Sequence, residues 1–189
     1  MITVGIDEVG RGCWAGPLVA GAVVLGEPIV GLKDSKKLSK LQREKLAKII
    51  HEKAAAVGLG WVTAKEVDAL GLTESVRLAM ARALDQIKVD FDEIIIDGDF
   101  NFFPDDVRAS AVIKADDSVP AVSAASIAAK VARDNYMAEV AHKQFPHYEF
   151  DRHVGYGTAL HLAKLTEFGI CELHRLSYKP IQKIIVLAK

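Results

Sequence analysis

Four acids have the types and spacing to do chemistry. Asp7 and Glu8 stand side by side directly after the apolar run Ile2-Thr3-Val4-Gly5-Ile6. Asp97 closes the run Glu93-Ile-Ile-Ile-Asp97, and Asp116 closes Ala111-Val-Ile-Lys-Ala-Asp116. Short apolar runs bounded by turn residues predict strands. Sites in open α/β sheets gather beyond the carboxyl ends of the strands, so if these three run parallel the four acids converge.

Converging carboxylates repel one another unless positive charge lies among them. A cluster without cysteine or metal-spaced histidine suits hard, oxygen-preferring cations such as Mg²⁺ or Mn²⁺ and argues against structural zinc. Two such ions about 4 Å apart can clamp the attacking and leaving oxygens of a phosphodiester, with water as nucleophile. One geometric difficulty is evident. Neighbouring strand residues point to opposite faces, so Asp7 and Glu8 share a site only if the strand ends or twists between them. Gly10 just beyond makes that feasible.

The same stretch also matches a relaxed dinucleotide fingerprint, Gly10-Arg-Gly12-Cys-Trp-Ala15. That motif needs a helix to start inside it. Here Gly16-Pro17 interrupts and a Val-rich run follows, which argues against nicotinamide or flavin binding.

The elements that must position the acids follow from the rest of the pattern. Apolar runs at 18–25 and 57–62 predict two more strands. Ser39 with Gln42 and Thr63 with Glu66 form capping-box patterns that open helices through about Ala56 and up to Gly71. Helical patterns cover 73–88, 122–144 and 158–168, the last with Gly169 as its C-cap. Residues 181–187 form a last short helix or strand. About five strands with interleaved helices predict an α/β layer on a mixed sheet.

Bulk properties set the bounds. The 189 residues are 50% hydrophobic and 26% charged, which suits one domain with a sizeable core. No run approaches the roughly 18 apolar residues of a membrane span. The N-terminus does not read as a secretory signal. Cys13 and Cys171 form no C-x-x-C pair, so a reduced cytoplasmic protein is expected. Net charge is −1, but Lys/Arg outnumber acids eight to three in 33–54, and acids outnumber Lys/Arg ten to three in 85–117. Residues 140–189 are basic again, seven to four, and hold five of the six histidines. Such an order serves solvated helix faces or a site for a polyanion and metal ions.

Six motifs, GIDEVGRG (5–12), LKDSKKLS (32–39), IIIDGD (94–99), KADDSVPAVSAASIAAKVARD (114–134), HVGYGT (153–158) and HRLSYKP (174–180), resemble ribonuclease HII of the bacterial type in order and spacing. The resemblance implies a ribonuclease H-like mixed five-stranded sheet flanked by helices: a catalytic core over 1–144, and a C-terminal helical extension over 145–189 packed on it as a single folding unit. It implies an endoribonuclease that cuts on the 5′ side of ribonucleotides embedded in duplex DNA, and RNA in RNA/DNA hybrids, leaving 3′-hydroxyl and 5′-phosphate ends. A monomer using two Mg²⁺ or Mn²⁺ ions is expected.

Carried over by residue, the resemblance makes Asp7, Glu8, Asp97 and Asp116 the catalytic metal ligands, in preference to Asp99 and Asp117. Asp134 is read as a supporting or surface acid. Gly10, Arg11 and Gly12 fall on the loop that reads the 2′-hydroxyl, where missing Cβ atoms let backbone groups approach the sugar and Arg11 steadies a phosphate. Tyr156 matches the tyrosine that packs on the following deoxynucleotide. Ser35, Lys36 and Lys37 resemble a phosphate-contacting segment. His174 and Arg175 are candidates for ordering the site from the tail, and SAASIAAK is read as close helix-to-sheet packing. Two departures stand out: Val154 where the family often has Lys, and Gly157 where it often has Pro. The first removes a phosphate contact and the second is expected to loosen the loop. The residues after Gln182 lack the paired aromatics of a sliding-clamp peptide. A non-catalytic binding module would lack an acid, and a sugar-kinase-like relative would need a duplicated sheet domain.

Overall fold

The Val/Ile-rich runs form strands because branched side chains pack well on a pleated surface. A computed structural model describes residues 1–32 and 35–187. In chain order it contains β1 (Thr3–Val9), β2 (Leu18–Leu25), a 3₁₀ turn (Ser35–Lys37), α1 (Lys40–Lys53), β3 (Ala54–Val62), α2 (Ala64–Leu70) and α3 (Leu72–Leu84). Then come β4 (Glu93–Asp97), β5 (Ala109–Val112), α4 (Ala115–Ser118), α5 (Pro120–Asn135) and a π-helical segment (Tyr136–Ala141). The chain ends with α6 (His142–Gln144), a 3₁₀ turn (Pro146–Tyr148), α7 (Phe150–His153), α8 (Ala159–Phe168) and α9 (Lys179–Leu187). Both capping boxes form, at Ser39 and Thr63, and Gly169 caps α8.

The strands make one mixed five-stranded sheet in the order β3-β2-β1-β4-β5. β1 runs antiparallel to β2 and parallel to β4, and β4 runs parallel to β5. Ile6 pairs with Ile96, so Asp7 and Asp97 follow at the same level of the sheet.

The third acid arrives differently from expectation. β5 stops at Val112, short of Asp116, and Lys114 adopts a left-handed conformation at φ 58. That turn redirects the chain into the one-turn helix α4, which carries Asp116.

The chain divides into two compact units, both discontinuous in sequence. The first comprises Met1–Val9, Val19–Trp61 and Val76–Val131; the second comprises Gly10–Leu18, Val62–Ser75 and Ala132–Lys189. The second therefore takes in residues 145–189 together with earlier segments. In the first unit, Val23, Ile50, Ala124, Ala125 and Ile127 share a buried core. In the second, Ala15, Met137, Ala141, Tyr148 and Phe150 form another. Among the described residues no helix is long and apolar enough to cross a membrane.

Two strand glycines explain the small-residue run of α5. A Cβ on Gly5 would collide with the backbone of Ala121 and Val122, and one on Gly21 with that of Ala125. Helix and sheet meet backbone to backbone there, as the SAASIAAK pattern suggests. Gly5→Ala should therefore cost about 1–3 kcal/mol, the usual range for overpacking a dense core. Urea unfolding measures it, and an unchanged midpoint would mean that α5 does not approach β1 this closely.

Candidate functional site

The acids all lie in the first unit. β1 does not end between Asp7 and Glu8, since both pair within the sheet, with Gly21 and Ala20. Their Cβ atoms therefore leave opposite faces of the pleat, yet the two carboxyls stay close enough for the Glu8 charge to act on Asp7. Asp7 is 8% exposed, whereas Glu8 is half-buried. The Glu8 backbone N–H donates to Asp7 Oδ1 at 2.7 Å, and the Ser126 hydroxyl also hydrogen-bonds the Asp7 carboxyl. These bonds do not offset the environment. Burial first, the charge of Glu8 next and that of Asp97 after it push the Asp7 carboxyl up to about 8.

Asp97 closes β4 half-buried. Its Oδ1 lies 3.4 Å from the backbone nitrogen of Asp116, which is itself 6% exposed. The Ser123 hydroxyl donates to the Asp116 carbonyl. Asp7 thus interacts with Glu8 and Asp97, and Asp97 with Asp116. Asp99 is exposed beyond Gly98, and Asp117 forms an ion pair with Lys37 at 2.6 Å. Ser35 is buried, with its hydroxyl 3.0 Å from that of Ser126. The side chain of Lys36 lies outside the described residues.

Ser123 and Ser126 are the residues that sequence reasoning passed over. Spaced three apart on α5, they share a helix face and touch Asp116 and Asp7. The spacing was the available signal.

Among the described residues no three His, Cys, Asp or Glu side chains close around a point where a metal ion would sit. The donor chemistry nevertheless fits a divalent hard cation. The donors are all carboxylates, and burial and the neighbouring negative charges that push Asp7 up to about 8 are what a bound cation would offset.

The second unit holds the Gly-Arg-Gly loop and Tyr156, built on two buried arginines. Arg175 is wholly buried and donates to the carbonyls of Gly10 (2.7 Å), Arg11 (3.2 Å) and Gly16 (3.0 and 3.1 Å), and to the Tyr178 hydroxyl (2.8 Å). Burial lowers its affinity for its proton. Tyr178 in turn donates to the Arg11 carbonyl at 2.5 Å. Arg133, also wholly buried, donates to Pro17, Ala15 and Val154 carbonyls at 2.8, 3.1 and 2.9 Å. Its guanidinium lies 5.6 Å from the centre of the Tyr156 ring. Tyr156 is half-buried and its phenol is pushed up to about 12, mainly by burial, beside the Cys13 thiol that it hydrogen-bonds.

The loop glycines differ in kind. Gly10 sits at φ 91, and a Cβ there would meet the Arg133 side chain and the Pro17 carbonyl, so the fold itself requires glycine. Gly12 is exposed and a Cβ on it would enter open space. The departures at Tyr156 are accommodated. Val154 takes a left-handed conformation at φ 42, its carbonyl held by Arg133. Gly157 packs so closely on the Trp14 indole that a Cβ would collide with it.

A family model described as ribonuclease HII matches residues 4–181. The chain belongs to the ribonuclease HII family. It is 46% identical to the ribonuclease HII of Dechloromonas aromatica (strain RCB) over 97% of this chain and 93% of that protein. The crystal structure of the ribonuclease H2 from Pyrococcus horikoshii OT3 superposes with a TM-score of 0.80 at 28% identity, covering 97% of both chains. That of Bst-RNase HIII in complex with Mn²⁺ gives 0.73 at 23% identity, over 100% of this chain and 70% of that one, and supports the fold. As a family member the chain is a ribonuclease H enzyme with a ribonuclease H-like fold.

The perturbed Asp7 carboxyl gives a stability prediction for the metal-free protein. Its folded pKa lies above its unfolded value, so its contribution is fully present below about pH 4 and lost as pH rises through 8. In EDTA, Asp7→Asn should raise Tm, by little at pH 5 and most at pH 9. A thermal-denaturation series measures this, and a Tm gain that shrinks with rising pH would contradict the account.

Proposed function

We propose that this enzyme hydrolyses the phosphodiester on the 5′ side of ribonucleotides embedded in duplex DNA, and RNA in RNA/DNA hybrids, by two-metal-ion catalysis. The observation that carries this reading is the chain of acids in the first unit, in which Glu8 and Asp97 act on buried Asp7 and Asp97 receives the backbone N–H of Asp116. Its clearest sign is a buried carboxyl that cannot ionise normally without added positive charge. Asp7, Glu8, Asp97 and Asp116 hold Mg²⁺ or Mn²⁺. Two ions held by these carboxylates would supply positive charge to the scissile phosphate and to an attacking water. Water adds to phosphorus and the bond to the upstream 3′ oxygen breaks, leaving a 3′-hydroxyl and a 5′-phosphate.

Selectivity in this reading comes from the second unit. Backbone groups of Gly10, Arg11 and Gly12 read the 2′-hydroxyl, Arg11 steadies a phosphate, and Tyr156 packs against the deoxynucleotide that follows. The buried arginines support it by fixing the loop carbonyls, so the loop meets substrate already ordered. Ser35, Lys36 and Lys37 serve the backbone phosphates, with Lys37 exchanging Asp117 for phosphate. A cytoplasmic monomer belongs to the same reading; among the described residues Cys13 and Cys171 form no disulfide, as a reducing compartment would require.

Duplexes with zero, one or four ribonucleotides, assayed with Mg²⁺, Mn²⁺ or EDTA, test the reaction. Cleavage should need both a ribonucleotide and a divalent ion. Asp116→Asn should leave no more than a few per cent of the wild-type rate, with Asp99→Asn much milder. Equal cutting of the all-DNA duplex would overturn the reading.

Gly12→Ala tests the loop cleanly, because a Cβ there meets nothing in the protein. The variant should keep its Tm yet lose at least tenfold in kcat/KM at a single ribonucleotide. A 2′-O-methyl junction should be refused by wild type by about 10⁴ or more, as expected of a site built to satisfy a hydroxyl. Full activity of Gly12→Ala would make the loop a structural turn only.

A further inference from the structure

Three histidines in the second unit pack in one buried aromatic cluster. The His153 and His161 rings stack at 4.3 Å, His161 lies 5.3 Å from His174, and Trp14, Tyr148 and Phe150 surround them. Buried histidines are commonly packing residues. The hydrogen bonds here carry more information, because one end of the chain has fixed polarity.

At one end the Cys171 backbone N–H, which can only donate, meets His174 Nδ1 at 2.9 Å. The Cys171 carbonyl lies farther from the same nitrogen, at 3.3 Å, and the other end of the chain decides between the two. The Tyr156 carbonyl requires the His161 proton on Nδ1, so His174 carries its proton on Nε2 and accepts at Nδ1. That Nε2 lies 3.1 Å from His161 Nε2, which must accept. The proton of His161 then sits on Nδ1, 2.9 Å from the Tyr156 carbonyl, which can only accept. His153 is fixed in the same way: Gly155 N–H donates to its Nδ1 at 3.2 Å, leaving Nε2–H for the Tyr148 carbonyl at 2.9 Å. One assignment satisfies every ring nitrogen, and in it all three rings are neutral.

The relay ends on the peptide that follows Tyr156. That carbonyl also accepts the Thr158 N–H at 2.9 Å, and the Tyr156 N–H donates to the His153 carbonyl at 2.9 Å. The Tyr156 backbone is thus held on both sides by the cluster, while its ring projects beside Arg133.

We propose that His174 and His161 are positioning residues, which fix Tyr156 through the directed relay Cys171 N–H to His174 to His161 to the Tyr156 carbonyl and thereby set junction selectivity. This rests on Tyr156 contacting the substrate. The relay works only with neutral rings, since an extra proton on His161 would set N–H against N–H at His174, and one on His174 would break the bond from the Cys171 N–H in favour of the Cys171 carbonyl. Burial holds both rings neutral, taking His161 to about 3 and His174 to about 4, and the neighbouring imidazoles press the same way. The Tyr148 phenol and the Cys171 thiol are both pushed above their usual range, so they also stay neutral at pH 7. The Asp151 and Glu149 carboxylates pull His153 the other way, and burial outweighs them.

The test compares a duplex carrying one ribonucleotide with a continuous RNA/DNA hybrid. His161→Phe keeps an aromatic ring in place and removes the donor; it should lower kcat/KM at the single-ribonucleotide junction about tenfold and that on the hybrid about threefold or less. His161→Asn restores an N–H near the Nδ1 position and should recover most of the loss. Tyr156→Ala is run alongside. If it leaves junction preference unchanged, the role of Tyr156 fails; if it destroys the preference while a stable His161→Phe retains it, the relay alone fails. Nitrogen-15 spectra of the wild-type imidazoles give a readout independent of any variant folding. At pH 6 to 8 they should show His174 and His153 protonated at Nε2 and His161 at Nδ1, and an Nε2-protonated or charged His161 would overturn the proposal.

Discussion

Electrostatic crowding of buried carboxylates is the constraint on which the first unit depends. Parallel pairing of β1 with β4 sets Asp7 and Asp97 at one level of the sheet, and the left-handed turn at Lys114 brings Asp116 to Asp97. Burial, with the charges of Glu8 and Asp97 beside it, raises the cost of ionising Asp7. A fold selected for stability alone would avoid this arrangement. It persists here alongside features that make it more exacting, such as glycines at 5 and 21 that let α5 bring Ser126 to Asp7. Local strain of this kind gathers where chemistry is done.

The second unit solves the opposite problem. Arg133 and Arg175 are buried charges whose direct partners are largely backbone carbonyls, so their donors are spent on shaping loops. Planar guanidinium forks suit that task, because several fixed donors can seize several carbonyls at once. The Gly10–Gly12 segment and the turn around Tyr156 are irregular backbone, yet each carbonyl so held is a conformational freedom removed before any substrate arrives. The histidine relay extends the same logic with neutral groups.

Much of this was legible in the sequence. Parallel strands ending near acids, both capping boxes and the C-cap at Gly169 follow from local pattern, which reads short-range physics well. The Ser126 contact with Asp7 was missed because small residues on a helix announce packing, and their hydroxyls reveal partners only once the helix is docked. Asp116 was expected at a strand end, but a positive φ at lysine has no composition signal. Arg133 lay inside an ordinary helical stretch, and nothing in its spacing says that its charge would be buried among carbonyls. The close approach of Gly157 to Trp14 was not legible because the two are remote in sequence.

The central claim is that the crowded acids exist to hold divalent ions. Calorimetric titration of Mn²⁺ into wild type, Asp7→Asn and Asp116→Asn tests it without relying on turnover. The account predicts measurable binding by wild type and a loss of at least tenfold in affinity for each variant, with the fold retained. Wild-type affinity in Asp7→Asn would contradict it.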